Sequence, residues 1–146
     1  MTQPPPTELR LRMTSDPAEI AGVRHRAEAF ARQHGFDECA TGEIGLVLNE
    51  AIANVIRHAY ENVPGKPIEI ALRVADGVLD VDVRDYGSGK IPDLRREKTE
   101  LLTPGGLGLP CMKQMMSDLR FEKQPDGMLL KMTKARRPTE SAQRKQ

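Results

Sequence analysis

Glu50 and Asn54 stand four residues apart in the stretch 43–60 (EIGLVLNEAIANVIRHAY), whose apolar residues recur at helical spacing. Ile44, Leu48, Ile52 and Val55 form the apolar stripe, so Glu50 and Asn54 share another face of the same helix and can point into one pocket. Two more stretches follow in order, Asp85-Tyr86-Gly87-Ser88-Gly89 at the end of an alternating run and Gly105-Gly106-Leu107-Gly108-Leu109 ahead of an apolar one. A fold that uses all three must bring a helix face, a strand end and a glycine-rich helix start together.

Each stretch suits one part of a nucleotide. Asn54 offers a neutral carbonyl oxygen that a hard Mg²⁺ accepts beside phosphate oxygens and waters, and Glu50 can take a proton from a hydroxyl nucleophile. A carboxylate at Asp85 can accept a bond from the amino group of adenine, whereas guanine presents a carbonyl oxygen there. Gly87 and Gly89 let the chain turn sharply and leave space for a flat ring. Gly105, Gly106, Leu107 and Gly108 precede a helix whose first free N–H groups and dipole favour an anion. The loop is not a Walker A motif, since no Lys-Ser or Lys-Thr follows, and it lacks the dinucleotide fingerprint. Taken singly, each stretch also reads as ordinary structure: a polar helix face, an Asp-Gly turn, a helix cap.

The remaining chain supplies a sheet and helices. Residues 8–13 alternate as a half-buried strand after Pro4 to Pro6. Ser15 or Asp16 can cap a helix over 16–34, with Pro17 early and Ile20, Val23, Ala27, Phe30 and Ala31 on its apolar face until Gly35. A second helix is expected from Thr41, capped by its hydroxyl, to Tyr60. Strands at 68–74 and 78–83 join through Asp76-Gly77, a hairpin pair. Residues 88–104 are polar, proline-punctuated and too long for a turn, and read as a lid offering Arg95, Arg96, Lys98 and Thr99. A helix at 107–116 and a hairpin of 119–123 with 128–133 complete the order β-α-α-β-β-lid-α-β-β. That order predicts an α/β two-layer sandwich with a mixed, mostly antiparallel sheet covered on one face by helices, the other face needing cover from a second copy or a partner.

The three stretches together resemble the ATPase domain shared by histidine kinases, gyrase and MutL, with its Bergerat-type ATP-binding fold. Over residues 7–134 the chain looks most like the stand-alone bacterial anti-sigma factor serine-protein kinases. The resemblance implies ATP and Mg²⁺ as cofactors, with Glu50 catalytic and Asn54 the metal ligand. It implies nucleotide contacts from Asn54, Asp85, Gly87, Gly89, Gly105, Gly106, Leu107 and Gly108. It also implies a sigma factor and an anti-sigma factor antagonist as partners, a serine of the antagonist as phosphoryl acceptor, and a homodimer built through the first strand and helix. In this family the His at position 58 closes the motif locally, and Ala53 stands where some relatives carry a hydroxyl. A binding module that responds to nucleotide without catalysis would keep Asn54, Asp85 and the glycine turns and use Glu50 only structurally.

Composition limits the alternatives. A chain of 146 residues, 38% hydrophobic and 29% charged, suits one folded domain. The net charge of +1 conceals a basic end, where Lys131, Lys134, Arg136, Arg137, Arg144 and Lys145 face only Glu140. The body is therefore mildly acidic, which disfavours nucleic-acid binding, and residues 135–146 read as a basic, flexible tail. Without an apolar run of ~18 residues or the apolar core of a secretion signal, neither a membrane span nor export is expected, and the expected location is cytoplasmic. Cys39 and Cys111 match no metal or redox spacing and read as reduced, partly buried thiols.

Overall fold

The computed structural model describes residues 6–87 and 109–137. Strands β1 (Glu8–Thr14), β2 (Pro67–Ala75), β3 (Val78–Asp85), β4 (Asp118–Gln124) and β5 (Gly127–Ala135) form one sheet in the order β1-β2-β3-β5-β4. Every neighbouring pair is antiparallel, so the sheet is not mixed among the described residues. Helices α1 (Ile20–Gln33), α2 (Glu38–Asn54) and α3 (Leu109–Met115) complete a two-layer α/β fold.

The alternation of the strands sets the layering. Leu11 and Met13, Ile68, Ile70 and Leu72, Leu79, Val81 and Val83, Leu119, and Leu130 and Met132 point to one side and are buried. They meet Ile20, Val23, Ala27, Phe30 and Ala31 of α1 and Ile44, Leu48 and Ile52 of α2 in a single core. Each fully buried Ile or Leu contributes roughly 1.5–3 kcal/mol of transfer free energy, so this shared face is what holds helices to sheet. Asp76 and Gly77 both take positive φ, 52° and 76°, and close the β2–β3 hairpin with the twist that two-residue turns need.

Three expectations change. Helix α2 begins at Glu38, and its cap is Asp37, whose side chain accepts from the Ala40 amide at 2.7 Å. Thr41 instead lies buried within the first turns, because capping requires the residue before the helix and the apolar face already starts at Ala40. The opposite sheet face needs no cover, since it carries polar side chains paired across strands: Asp82 lies 2.9 Å from Arg73 and 3.5 Å from Lys131, and Arg12 faces Glu69 at 3.9 Å. Antiparallel sheets commonly present such a solvated face. Cys39 is exposed on the first turn of α2 and Cys111 half-buried, both as free thiols.

The helical run Glu38–Ala59 is, at 22 residues and a mean hydropathy of 1.2, long and apolar enough by length and composition to cross a membrane. With 61% of that window buried inside the domain, its apolarity serves the core, as expected of a helix packed on most sides. Beyond β5, Arg136 remains attached: its amide donates to the Gly77 carbonyl at 2.7 Å and its guanidinium to that of His34 at 2.8 Å. Lys134, on the buried side of β5, donates to the Met115 carbonyl at the end of α3 and lies 3.1 Å from Glu43 of α2, tying three elements together.

Candidate functional site

Glu50 and Asn54 leave the last turns of α2 on one face, as their spacing requires. Glu50 is 5% exposed and Asn54 half-buried. The Arg57 guanidinium joins them, one nitrogen donating to Asn54 Oδ1 at 2.6 Å and to Glu50 Oε1 at 3.2 Å. Two oxygens therefore already converge on one cation. Arg57 lies in a five-residue π-helical turn, Val55–Ala59, that continues α2. Widened turns of this kind occur mostly as single turns within α-helices, frequently at functional sites. This one carries His58, which lines the cavity described below.

Asp85 closes β3, 4% exposed, opposite Ile68 of β2 and Met128 of β5. Burial pushes its carboxyl above the usual aspartate range, opposed by the Gly87 amide, by Arg84 and by the Met128 amide. The Gly87 amide donates to Asp85 Oδ1 at 3.0 Å. A side chain at Gly87 has no room: a Cβ there would lie 2.5 Å from the Ala59 carbonyl oxygen and 2.9 Å from its carbon. Gly127, at φ 155°, passes so close to the Asp85 carbonyl that a Cβ would overlap its oxygen. The strand end is thus clamped between the end of α2 and the β4–β5 turn. Tyr60 completes the clamp, its hydroxyl accepting from the Tyr86 amide at 2.7 Å and donating to the Pro67 carbonyl at 2.5 Å.

Asn54 and Asp85 line one cavity with Ala51, Val55, His58, Ala59, Val83, Phe121, Met128 and Leu130. Its walls are apolar apart from the amide, the imidazole and the carboxylate, the composition of a small-molecule site. At about 30 Å³ it is narrow, and among its lining Met128 has a flexible side chain that can repack. Glu50 is not among its lining residues and lies one helical turn before Asn54, its carboxylate accepting from Arg57. Gly87 abuts its wall through Ala59. Gly89, Gly105, Gly106, Leu107, Gly108 and the lid residues lie outside the described residues.

Sequence reasoning did not single out Arg57, Tyr60, Gly127 or Met128. Arg57 had a signal, because a cation three residues after Asn54 and seven after Glu50 repeats along one helix face. The others had none, since their partners are brought close only by the sheet. Among the described residues no group of three or more His, Cys, Asp or Glu is placed to hold a metal alone. A Mg²⁺ shared with phosphates requires only one or two protein oxygens, and the Asn54 oxygen, already drawing a cation, fits that role.

Comparison with known proteins shows the family. The family described as histidine kinase-like ATPase domain matches residues 13–134. The anti-sigma F factor of Bacillus licheniformis is 32% identical over 134 residues, covering 87% of this chain and 91% of the relative. The serine-protein kinase RsbW of Listeria innocua is 24% identical over 136 residues, covering 87% of this chain and 86% of that protein. A crystal structure of the RsbU and RsbW domains of a Mycobacterium tuberculosis protein shares the fold, with a TM-score of 0.68 at 20% identity over 92% of this chain, which spans 34% of that longer one. By its sequence and by its fold, this chain belongs to the histidine kinase-like ATPase domain family, in the group of anti-sigma factors and serine-protein kinases.

Proposed function

We propose that this protein is an ATP-binding serine-protein kinase that acts as an anti-sigma factor in a partner switch, phosphorylating a serine of an anti-sigma factor antagonist. The observation that carries the reading is the convergence of Asn54 and Asp85 on one cavity, with Glu50 linked to Asn54 through Arg57. In this reading Asp85 accepts a hydrogen bond from the amino group of adenine while the lining side chains Val83, Phe121, Met128 and Leu130 cover the ring. For a purine to enter, the flexible Met128 side chain turns aside.

Asn54 Oδ1 would hold Mg²⁺ in place of the Arg57 guanidinium it now accepts from. Bound there, Mg²⁺ would neutralise the triphosphate. Glu50 orients the acceptor serine and takes its proton. Phosphoryl transfer depends chiefly on positioning and charge neutralisation, so this small set suffices once a docked partner places its hydroxyl in line. A phosphate on the antagonist then weakens its binding by added charge, and the kinase is free to hold the sigma factor instead. The names of the relatives support both halves of the reading, anti-sigma factor and serine-protein kinase. In the same reading the protein is a cytoplasmic homodimer joined through β1 and α1 that touches no DNA, and residues 7–134 form the ATPase domain ahead of a basic tail at 135–146.

One observation favours a second reading. Glu50 lies outside the cavity lining with its carboxylate engaged by Arg57, which suits a non-catalytic regulator that changes partners on binding nucleotide. Incubation with labelled ATP and purified candidate antagonists separates the two. Label on a serine supports the kinase, and tight ATP binding with no labelled serine supports the regulator.

A further inference from the structure

Tyr60 lies at the end of the helix that carries Asn54, 6% exposed, yet both partners of its hydroxyl are backbone groups of other elements. An amide can only donate and a carbonyl can only accept, so the one phenolic proton goes to the Pro67 carbonyl and the Tyr86 N–H takes a lone pair. Burial raises the phenol further above physiological pH, so that proton stays in place. The amide it holds belongs to the peptide directly after Asp85. The next amide, of Gly87, is the one that binds Asp85 Oδ1. The two peptides meet at the Tyr86 Cα, so holding the first narrows the positions from which the Gly87 N–H can reach Asp85 Oδ1, and with them the directions the carboxylate can take. The packing of Gly87 on the Ala59 carbonyl, one residue before Tyr60, closes the same joint from its other side.

We propose that Tyr60 is a positioning residue for base selection, whose hydroxyl aims Asp85 at the purine by holding the Asp85–Tyr86 peptide against the end of α2. The inference rests on the adenine-reading role proposed for Asp85. It places the determinant of selectivity on a side chain that is not among the cavity's lining residues. Tyr60→Phe keeps the ring and its packing and removes only the hydroxyl, so the Tyr86 amide and Pro67 carbonyl lose their partner and the turn relaxes.

The test compares ATP with inosine triphosphate, which carries a carbonyl oxygen in place of the adenine amino group. Calorimetry with Mg²⁺ on the intact chain gives the ratio of the two affinities. In wild type ATP binds more tightly. Tyr60→Phe lowers the ratio by about tenfold, the worth of one hydrogen bond to a charged group, while inosine triphosphate affinity stays within about twofold. An unchanged ratio in the folded variant, or an equal loss for both nucleotides, overturns the inference. Wild type with no preference for ATP overturns the reading of Asp85 itself, and does so without the variant. If Tyr60→Phe does not fold, hydrogen exchange at the Tyr86 amide of wild type decides. Greater protection with ATP than with inosine triphosphate supports the inference, and equal protection overturns it.

Discussion

Replacing Gly87 by alanine tests the joint between strand end and helix end most directly. The new methyl would lie 2.5 Å from the Ala59 carbonyl oxygen and 2.9 Å from both the carbonyl carbon and the Ala59 Cβ. Relaxed contacts between carbon atoms need about 3.5–4.0 Å, so the two segments must part by most of an ångström. No side-chain rotation relieves the oxygen contact, because the atom belongs to the backbone at the end of the π-helical turn. Overpacking of this kind costs about 1–3 kcal/mol. In a domain of this size each kcal/mol lowers Tm by roughly 3–5 °C. The same shift lengthens the 3.0 Å bond from the Gly87 amide to Asp85, so ATP affinity falls by about 10–100-fold. Gly42→Ala is the matched control, since it sits exposed in α2 with nothing within 4 Å of the added methyl. It stabilises by about 0.5–1 kcal/mol through helix propensity and leaves nucleotide binding alone. Thermal melts and calorimetric titration with Mg-ATP read both quantities. A folded Gly87→Ala protein with wild-type ATP affinity would refute the coupling of that turn to Asp85.

Further outcomes follow from the same geometry. Asp85→Asn abolishes the preference for adenine yet raises stability at neutral pH. The folded carboxyl is held above its unfolded range by burial, so its ionised form costs stability, and acidification through the raised value removes that cost. The Tm advantage of Asp85→Asn therefore shrinks as pH falls into the carboxylate range, and an advantage that grows in acid contradicts the assignment. Asn54→Ala removes Mg-ATP binding, whereas Glu50→Gln keeps binding and slows serine labelling by about 10²–10⁴-fold; equal loss of both activities in both variants refutes that division of labour. Arg57→Ala leaves Glu50 buried without its cation, and with the guanidinium half exposed the cost in urea unfolding is only about 1 kcal/mol.

Periodicity and turn chemistry made the scaffold legible. The apolar positions of α1 and α2 named from spacing are buried, and Asp76-Gly77 makes the hairpin its residues call for. These features depend on neighbours within one or two turns, so the chain carries them on its face. The start of α2 was misread for a local reason. Asp37 and Thr41 can both cap a helix, and only the burial of Thr41 against the core decides between them. The charged open face of the sheet was missed because cross-strand pairs such as Arg12 with Glu69 depend on register, which no single strand reveals.

The sequence by itself determined which groups could do chemistry: an amide and an acid on one helix face, a carboxylate at a strand end, glycines after it. Tertiary structure alone decided how they are held. Gly87 was expected to make space for a flat ring, and in the fold its bare Cα makes space for the Ala59 carbonyl. Glu50 and Asn54 were expected in one pocket, and in the fold Arg57 joins them while only Asn54 is among the cavity's lining residues. Tyr60 reaches the Tyr86 amide across 26 residues and Gly127 reaches Asp85 across the β3–β5 ladder. Local rules extend a few residues along the chain, whereas these contacts exist only after sheet register and helix packing have fixed the distance between parts that the sequence leaves far apart.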